Sequence, residues 1–590
     1  MRFLCIALLL TSLCYGQTNV YEISFDNAHH HEAQIAITFP ELKKKTVIVR
    51  MSRSSPGRYA IHEFAKNVFN FKATNSKGQA LEATRPDPYS WEIKDHDGEV
   101  NVSYTLFANR ADGTYSQVDE SHAHLNMPAT FMFMEGEDHR PIEIDFKLRK
   151  DLNWKVASQL KKIDDARYSA PNLQYFLDSP TEVSDYQLRE FTVDGQNIRF
   201  ALHSDDTSED FDNYWEKVKA IVLAQKEVFG TLPTYDFGEY TFLACYAPHV
   251  SGDGMEHRNS TILTDRESLA AGGMEGNIGT VSHEFFHSWN VERIRPADLE
   301  PFDFTAANMS GSLWFAEGFT SYYTNLILAR AGVITSEDYV KSLNGTFNYA
   351  WNSPARDYFN PIEMSYQAPF VDAATSVDPV NRNNTFISYY SYGSVLGLAL
   401  DLSLRQQGLN LDDYFKAVWN QFGKKEISYS IQDLEKVLAE YTGDAFAKTF
   451  FSQYIYDSQM PDYQNLLTNA GLTITQDETK PYLGIRVNAT ETGLRIARAT
   501  SKGTSAYTAG LNEGDLITAI DGTELRTSEA YETYLNSLTV GQTIAVNYER
   551  FGRKLTTKLT VSADPTYTIT MNPNPSKKPS KLRKYWLQEK

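Results

Sequence analysis

The apolar residues of this chain change period at Thr207, and that change sets its gross architecture. Before it, YEISF, EAQIAITF, TVIVRMS, EVNVSYTLF and IRFALH alternate or run apolar between Gly, Pro, Asn and Asp breaks, as strands do. After it, Phe211, Trp215, Val218, Val222 and Phe229 recur at helical spacing, and Gly230 stands where a C-cap belongs. Helical periodicity then dominates to about Tyr463, interrupted by one apolar strand, Tyr240 to Tyr246. Residues 353–384, rich in Pro, Asn and Asp, read as long surface loops, and strands return from Lys480 to about Val561. At 590 residues the chain exceeds what one core organises. The pattern predicts a multidomain protein: a β-rich domain over 17–205, a mainly α domain over 206–465 and an α+β domain over 466–565. A Pro- and Lys-rich tail, 566–590, reads as flexible.

The first sixteen residues read as a signal peptide. Arg2 supplies the positive start, Phe3 to Leu13 an apolar stretch too short to span a bilayer, and Cys14-Tyr15-Gly16 a small-x-small cleavage site. The expected mature chain begins at Gln17 and is exported, periplasmic or secreted; bulky Leu13 disfavours lipid anchoring through Cys14. Cleavage leaves Cys245 alone, so no internal disulfide forms and the cores must hold the fold. A net charge of −19 argues against nucleic acid as partner, whose binding face should be basic. No later stretch has the apolar length of a transmembrane helix. His29-His30-His31 sits in a turn-like break without a second cluster nearby and reads as a solvated loop.

Chemistry concentrates in Val281-Ser282-His283-Glu284-Phe285-Phe286-His287. Residues four apart on a helix lie one above the other, so His283 and His287 can grip one ion. Glu284 follows the first ligand and falls beside the water that attacks, where a base must accept its proton. A catalytic zinc takes three protein ligands and keeps one position open. Farther on, LWFAEGFTSYY places Glu317 alone in an apolar, aromatic stretch, where an acid is costly to bury unless paired or metal-bound. Glu317 is thus either the third ligand or a half-exposed carboxylate at a helix start.

The stretches VSHEFFHSWNVERIRP and LWFAEGFTSYY resemble the glycyl aminopeptidase family of gluzincin metallopeptidases, peptidase family M61. Gly254 to Ser260, Tyr389-Tyr390-Ser391-Tyr392-Gly393, the β-rich start and the C-terminal module fit the same family. The resemblance implies a thermolysin-like catalytic domain, one Zn2+ per chain, and release of N-terminal residues, small ones such as Gly or Ala, from peptides. It makes His283, His287 and Glu317 the zinc ligands and Glu284 the general base. It assigns the oxyanion to Tyr390, although Tyr-Ser-Tyr-Gly departs from the usual Tyr-acidic-Lys-Gly and Tyr389 and Tyr392 compete for the role. Glu256 resembles the acid that binds the substrate α-ammonium, and its neighbour His257 reads as substrate-binding or as a plain loop residue.

Tyr482-Leu483-Gly484-Ile485 and the run Ala509 to Gly522 look like a PDZ domain. The backbone amides of Leu483, Gly484 and Ile485 would hold a peptide carboxylate, and Ser528 to Leu538 would form the helix flanking the groove. Expected partners are peptides with a free N-terminus at the metal and peptide C-termini at this module. The competing readings are a zinc endopeptidase and a non-catalytic PDZ binding protein; Glu284 counts against the latter, since a structural ion needs no base.

Overall fold

The computed structural model describes residues 17–371 and 378–588, so the expected signal peptide lies outside the described residues. The chain divides into two compact units. The first comprises the residues up to Phe211 with Thr234–Gly273 and Phe302–Ala306; the second comprises Asp212–Pro233, Met274–Pro301 and the rest.

The first unit is built on a seven-stranded sheet and two four-stranded sheets. The strand Asn19–Asn27 shows how the sequence fixes register: Tyr21, Ile23 and Phe25 are buried in alternation with Val20, Glu22 and Ser24. It pairs antiparallel with Glu32–Phe39 and parallel with Ile142–Lys147. A one-residue slip would turn all three apolar side chains out of the core. The His29 to His31 segment is a short turn between strands, as expected.

A five-stranded sheet completes the unit, in the order Gln187–Val193, Gln196–His203, Glu239–Tyr246, Ser260–Asp265, Asp253–His257. Here two expectations fail. Residues 206–465 hold three strands in this sheet, not one, and the expected boundary near residue 205 falls between strands of a single sheet. The reason is the character of the strands. Glu239–Tyr246 is central, paired in parallel on both sides and buried almost throughout, so it reads as a continuous apolar run. The mixed hairpin DGMEH and STILTD carries no such run. Glu239–Tyr246 therefore lies inside the sheet, and the edge strand is Asp253–His257, which bears Glu256 itself.

The second unit is helical and then PDZ-like. Its helices include Ile278–Phe286, Gly318–Arg330, Ser336–Trp351 and Tyr389–Gln406. The described part of 353–384 is not loop throughout but carries the short helices Pro354–Asp357, Pro361–Ser365, Ala368–Val371 and Arg382–Thr385. Ser353 and Asn360 cap the first two, each followed by Pro at the first helical position, so part of the loop-like composition is capping chemistry. The PDZ-like barrel is a five-stranded sheet over 487–560 with a helix, Ser528–Ser537, around a core of Leu483, Leu494, Ile517, Ile520 and Tyr531. Its Asp521-Gly522 turn has both residues at positive φ, 46° and 78°.

The described part of the tail, 566–588, is built into the fold rather than flexible. Tyr567–Met571 pairs antiparallel with Leu472–Gln476, and Asn344 and Asn348, one turn apart on a helix, bond the backbone of Ile569 and Tyr567. Lys577–Leu587 then forms a helix whose Trp586 is fully buried, its Nε1 donating to the Tyr322 hydroxyl at 2.9 Å. One large aromatic outweighs the Pro- and Lys-rich composition around it. Among the described residues, no helix is long and apolar enough to cross a membrane.

Candidate metal and catalytic centre

The helix Ile278–Phe286 buries Ile278, Val281, Phe285 and Phe286. Phe286 stacks on Tyr323 at 4.8 Å, which docks the helix against Gly318–Arg330. His287 directly follows the last helical residue but keeps helical dihedrals, φ −63° and ψ −17°, so the one-turn relation to His283 survives. The two imidazoles stand nearly perpendicular, 80° apart, with centroids at 4.8 Å.

Hydrogen bonds fix the tautomers. Thr324 Oγ1 donates to the Thr320 carbonyl and lies 3.1 Å from His283 Nδ1, so the ring nitrogen is the donor. His287 Nδ1 donates to the Asn290 carbonyl, which can only accept. Both Nε2 lone pairs are thereby left facing the same carboxylate: Glu317 Oε2 lies 3.4 Å from His283 Nε2 and 3.2 Å from His287 Nε2. Glu317 caps the helix Gly318–Arg330 and is 1% exposed, which excludes a half-exposed carboxylate. Burial opposes its charge, yet His287 and His283 hold its carboxyl well below the usual range; burial likewise pulls the His283 imidazole down. Three acceptors facing one another, with His287 and Glu317 buried and His283 partly exposed, suit a cation between them. The two carboxylate–imidazole separations match the edges, about 3.4 Å, of a tetrahedron with zinc–ligand bonds of about 2.1 Å. The donor set fits a metal.

Around these ligands the fold adds residues to which the sequence gave no task. The Asn290 side-chain amide lies 3.1 Å from the Phe315 and Ala316 carbonyls and from Thr320 Oγ1, tying the turn after His287 to the segment that carries Glu317. The signal was present in VSHEFFHSWN, since a polar amide in an aromatic run needs a buried partner. Gly393, in Tyr-Ser-Tyr-Gly, meets Gly318, so the helix Tyr389–Gln406 lies directly on the Glu317 segment. Geometry separates the competing tyrosines. The Tyr390 ring is half-buried and 5.9 Å from the His283 ring, whereas Tyr389 and Tyr392 are fully buried. Glu284 follows His283 on the same helix and is 6% exposed.

Glu256 and His257 lie on the strand Asp253–His257 of the first unit. Glu256 is 5% exposed beside Gly57, where an added Cβ would meet its Oε2 at 3.0 Å and Met255 Sδ at 1.9 Å; Gly57 also has φ +77°. Arg258 pairs with Asp236. His257 is not a plain loop residue: it closes the strand, is 1% exposed, and sets its Nδ1 2.8 Å from Asp178.

In the PDZ-like barrel, Gly484 has φ +79° and packs so closely on Thr504 that a Cβ would lie 2.5 Å from it. Leu483 is buried, and Gly484 and Ile485 line a cavity of about 420 Å³ shared with Asn348, Asn352 and Phe386 of the helical region. The barrel packs on that region through hydrogen bonds from Asn383 and Asn384 to the Ala499 and Thr500 carbonyls.

Residues 20–185 match the family model of the peptidase M61 N-terminal domain, residues 276–396 that of the M61 glycyl aminopeptidase, and residues 481–561 that of the PDZ domain. No curated protein matches the chain. Among solved structures, an aminopeptidase N family protein from Idiomarina loihiensis superposes with a TM-score of 0.85 at 24% identity, covering 97% of this chain and 100% of its own. An M1 zinc metallopeptidase from Deinococcus radiodurans gives a TM-score of 0.44 at 11% identity over 76% of this chain and 95% of its own.

Proposed function

We propose that this metallopeptidase, which matches both M61 domain models and a PDZ model, is an exported zinc aminopeptidase of the M61 type. The observation that carries the metal is the convergence of His283 Nε2, His287 Nε2 and Glu317 Oε2 with both tautomers fixed. Zinc held there supplies a Lewis acid for the scissile carbonyl and lowers the pKa of water. Glu284 takes the proton from the attacking water and returns it to the departing nitrogen. Tyr390 donates its hydroxyl hydrogen to the oxygen that gains charge in the transition state, a contact that raises rate rather than affinity. Glu256 receives the substrate ammonium, and small first residues such as Gly and Ala suit the family resemblance. The PDZ-like module takes peptide C-termini through Leu483, Gly484 and Ile485.

The test combines metal analysis with hydrolysis of short peptides. One zinc should be required for hydrolysis, His283→Ala and His287→Ala should lose metal and activity together, and Glu284→Gln should keep the metal while losing most of kcat. A fully active Glu284→Gln overturns the mechanism. Export is checked by N-terminal sequencing of the mature protein, with Gln17 expected first.

A further inference from the structure

The first unit holds a second convergence of ligand-type side chains, which peptide hydrolysis does not use. Four of the thirteen histidines meet there: His122 and His124 on the strand His122–Leu125, His203 at the end of Gln196–His203, and His249 in the turn after Glu239–Tyr246. Asp119 comes from the turn before His122, Glu182 from the antiparallel partner strand, and Cys245 pairs in register with His203. His122 is fully buried and Glu182 is 1% exposed. Such a group needs compensation by proton or cation.

Two triads have ligand atoms close enough to share an ion: His122, His203 and Cys245, or Asp119, His122 and His249. Ring geometry chooses between them. His122 and His203 are stacked, 12° from parallel at 4.5 Å, so their in-plane lone pairs do not converge. His122 and His249 stand at 84° and 5.9 Å, close to the 80° and 4.8 Å of His283 and His287. Asp119 Oδ2 lies 3.6 Å from both His122 Nε2 and His249 Nε2, near the tetrahedral edge of about 3.4 Å for a zinc-sized ion.

The surroundings match a metal site as well. His122 Nδ1 is 3.2 Å from Glu182 Oε1, the carboxylate that fixes a ligating histidine's tautomer and leaves Nε2 as acceptor. That Nε2 is buried without a hydrogen bond. Gln117 and the Ser121 and His122 amides hold the Asp119 carboxylate. The Cys245 thiol lies on the Nδ1 side of His122, at 3.8 Å, and so is not a ligand of the same ion. The His249 side chain is 48% exposed, which opens the site to solvent.

We propose that Asp119, His122 and His249 bind a second divalent cation of the zinc class, oriented by Glu182, which cross-links the turn before His122 to the turn bearing His249. Two imidazoles and one carboxylate favour zinc over calcium or magnesium, whose ligands are oxygens. The alternative is a protonated His122 paired with the carboxylates and no metal.

The experiment uses the full chain, stripped by chelator and dialysed against Zn2+, with zinc per chain measured. His249→Ala, an exposed change that leaves the core intact, should hold one zinc fewer than wild type. The same drop should appear when it is added to His287→Ala, so the result stands apart from the catalytic site. Zn2+ should raise the Tm of His287→Ala but not of the double variant. A His249→Ala chain that binds as much zinc as wild type overturns the proposal, as does a Zn2+-induced Tm shift in the double variant equal to that of His287→Ala.

Discussion

Gly318 and Gly393 meet backbone to backbone: a Cβ on Gly318 would lie 2.4 Å from the Gly393 Cα, and one on Gly393 would lie 1.9 Å from the Trp314 carbonyl oxygen. Gly318 follows the proposed ligand Glu317, and Gly393 lies three residues after Tyr390 on one helix, so this contact sets how closely the tyrosine helix approaches the Glu317 segment. Backbone cannot yield as a flexible side chain does. Gly393→Ala should destabilise by about 1–3 kcal/mol and lower kcat as the helix shifts. Gly345→Ala is the control: its Cβ meets nothing within 4 Å on a helix, and it should stabilise by up to about 1 kcal/mol. Denaturant midpoints read both; equal midpoints for the two variants would refute the close-approach account.

Asn290 acts through its backbone on His287 and through its side chain on the Glu317 segment. Asn290→Ala keeps the carbonyl but frees it to move. Zinc affinity should fall by about 10- to 100-fold, the usual cost of losing an outer partner of a ligand. Competition with a chelator measures this, and an unchanged affinity would reduce Asn290 to packing.

The tyrosines should separate by kinetics. Tyr390→Phe should retain zinc and lose about 10²- to 10³-fold in kcat, as removal of an oxyanion donor does. Tyr392→Phe removes a buried hydroxyl without a hydrogen-bond partner, so kcat should hold and stability should stay level or rise. A large kcat loss in Tyr392→Phe alone would move the role.

Trp586 fills the space beside Tyr322 and Tyr339, and its carbonyl accepts from Arg330. Trp586→Ala should cost about 3–5 kcal/mol. A chain ending before Lys480 loses this helix and the strand Tyr567–Met571, so it should melt well below the full chain rather than act as a self-contained core. Scanning calorimetry of the two chains checks this.

If Glu256 receives the substrate ammonium as proposed, acetylation of the N-terminus should cut kcat/KM by orders of magnitude, because the blocked substrate loses that charge-assisted contact. Glu256→Ala should largely erase that preference while zinc stays bound. Equal cleavage of free and acetylated peptides by the wild type would replace the aminopeptidase with an endopeptidase.

The local chemistry was legible in the sequence because it depends on near neighbours. His283 and His287 sit one helical turn apart whatever surrounds them, and Gly484, Asp521 and Gly522 mark turns by their own backbone needs. The period change at Thr207 likewise located the long helix Ser208–Phe229. What only the tertiary structure decided came from distant segments. The tail was ordered by Tyr322 and Leu472–Gln476, more than 90 residues away. Tyr390 was distinguished from Tyr389 and Tyr392 by its approach to His283. The Asp119, His122 and His249 cluster had no motif, since Asp119 and His122 lie in one segment and His249 comes from a turn more than 100 residues away. Periodicity and spacing encode what one element does to itself; burial and convergence of side chains from different elements belong to the folded chain.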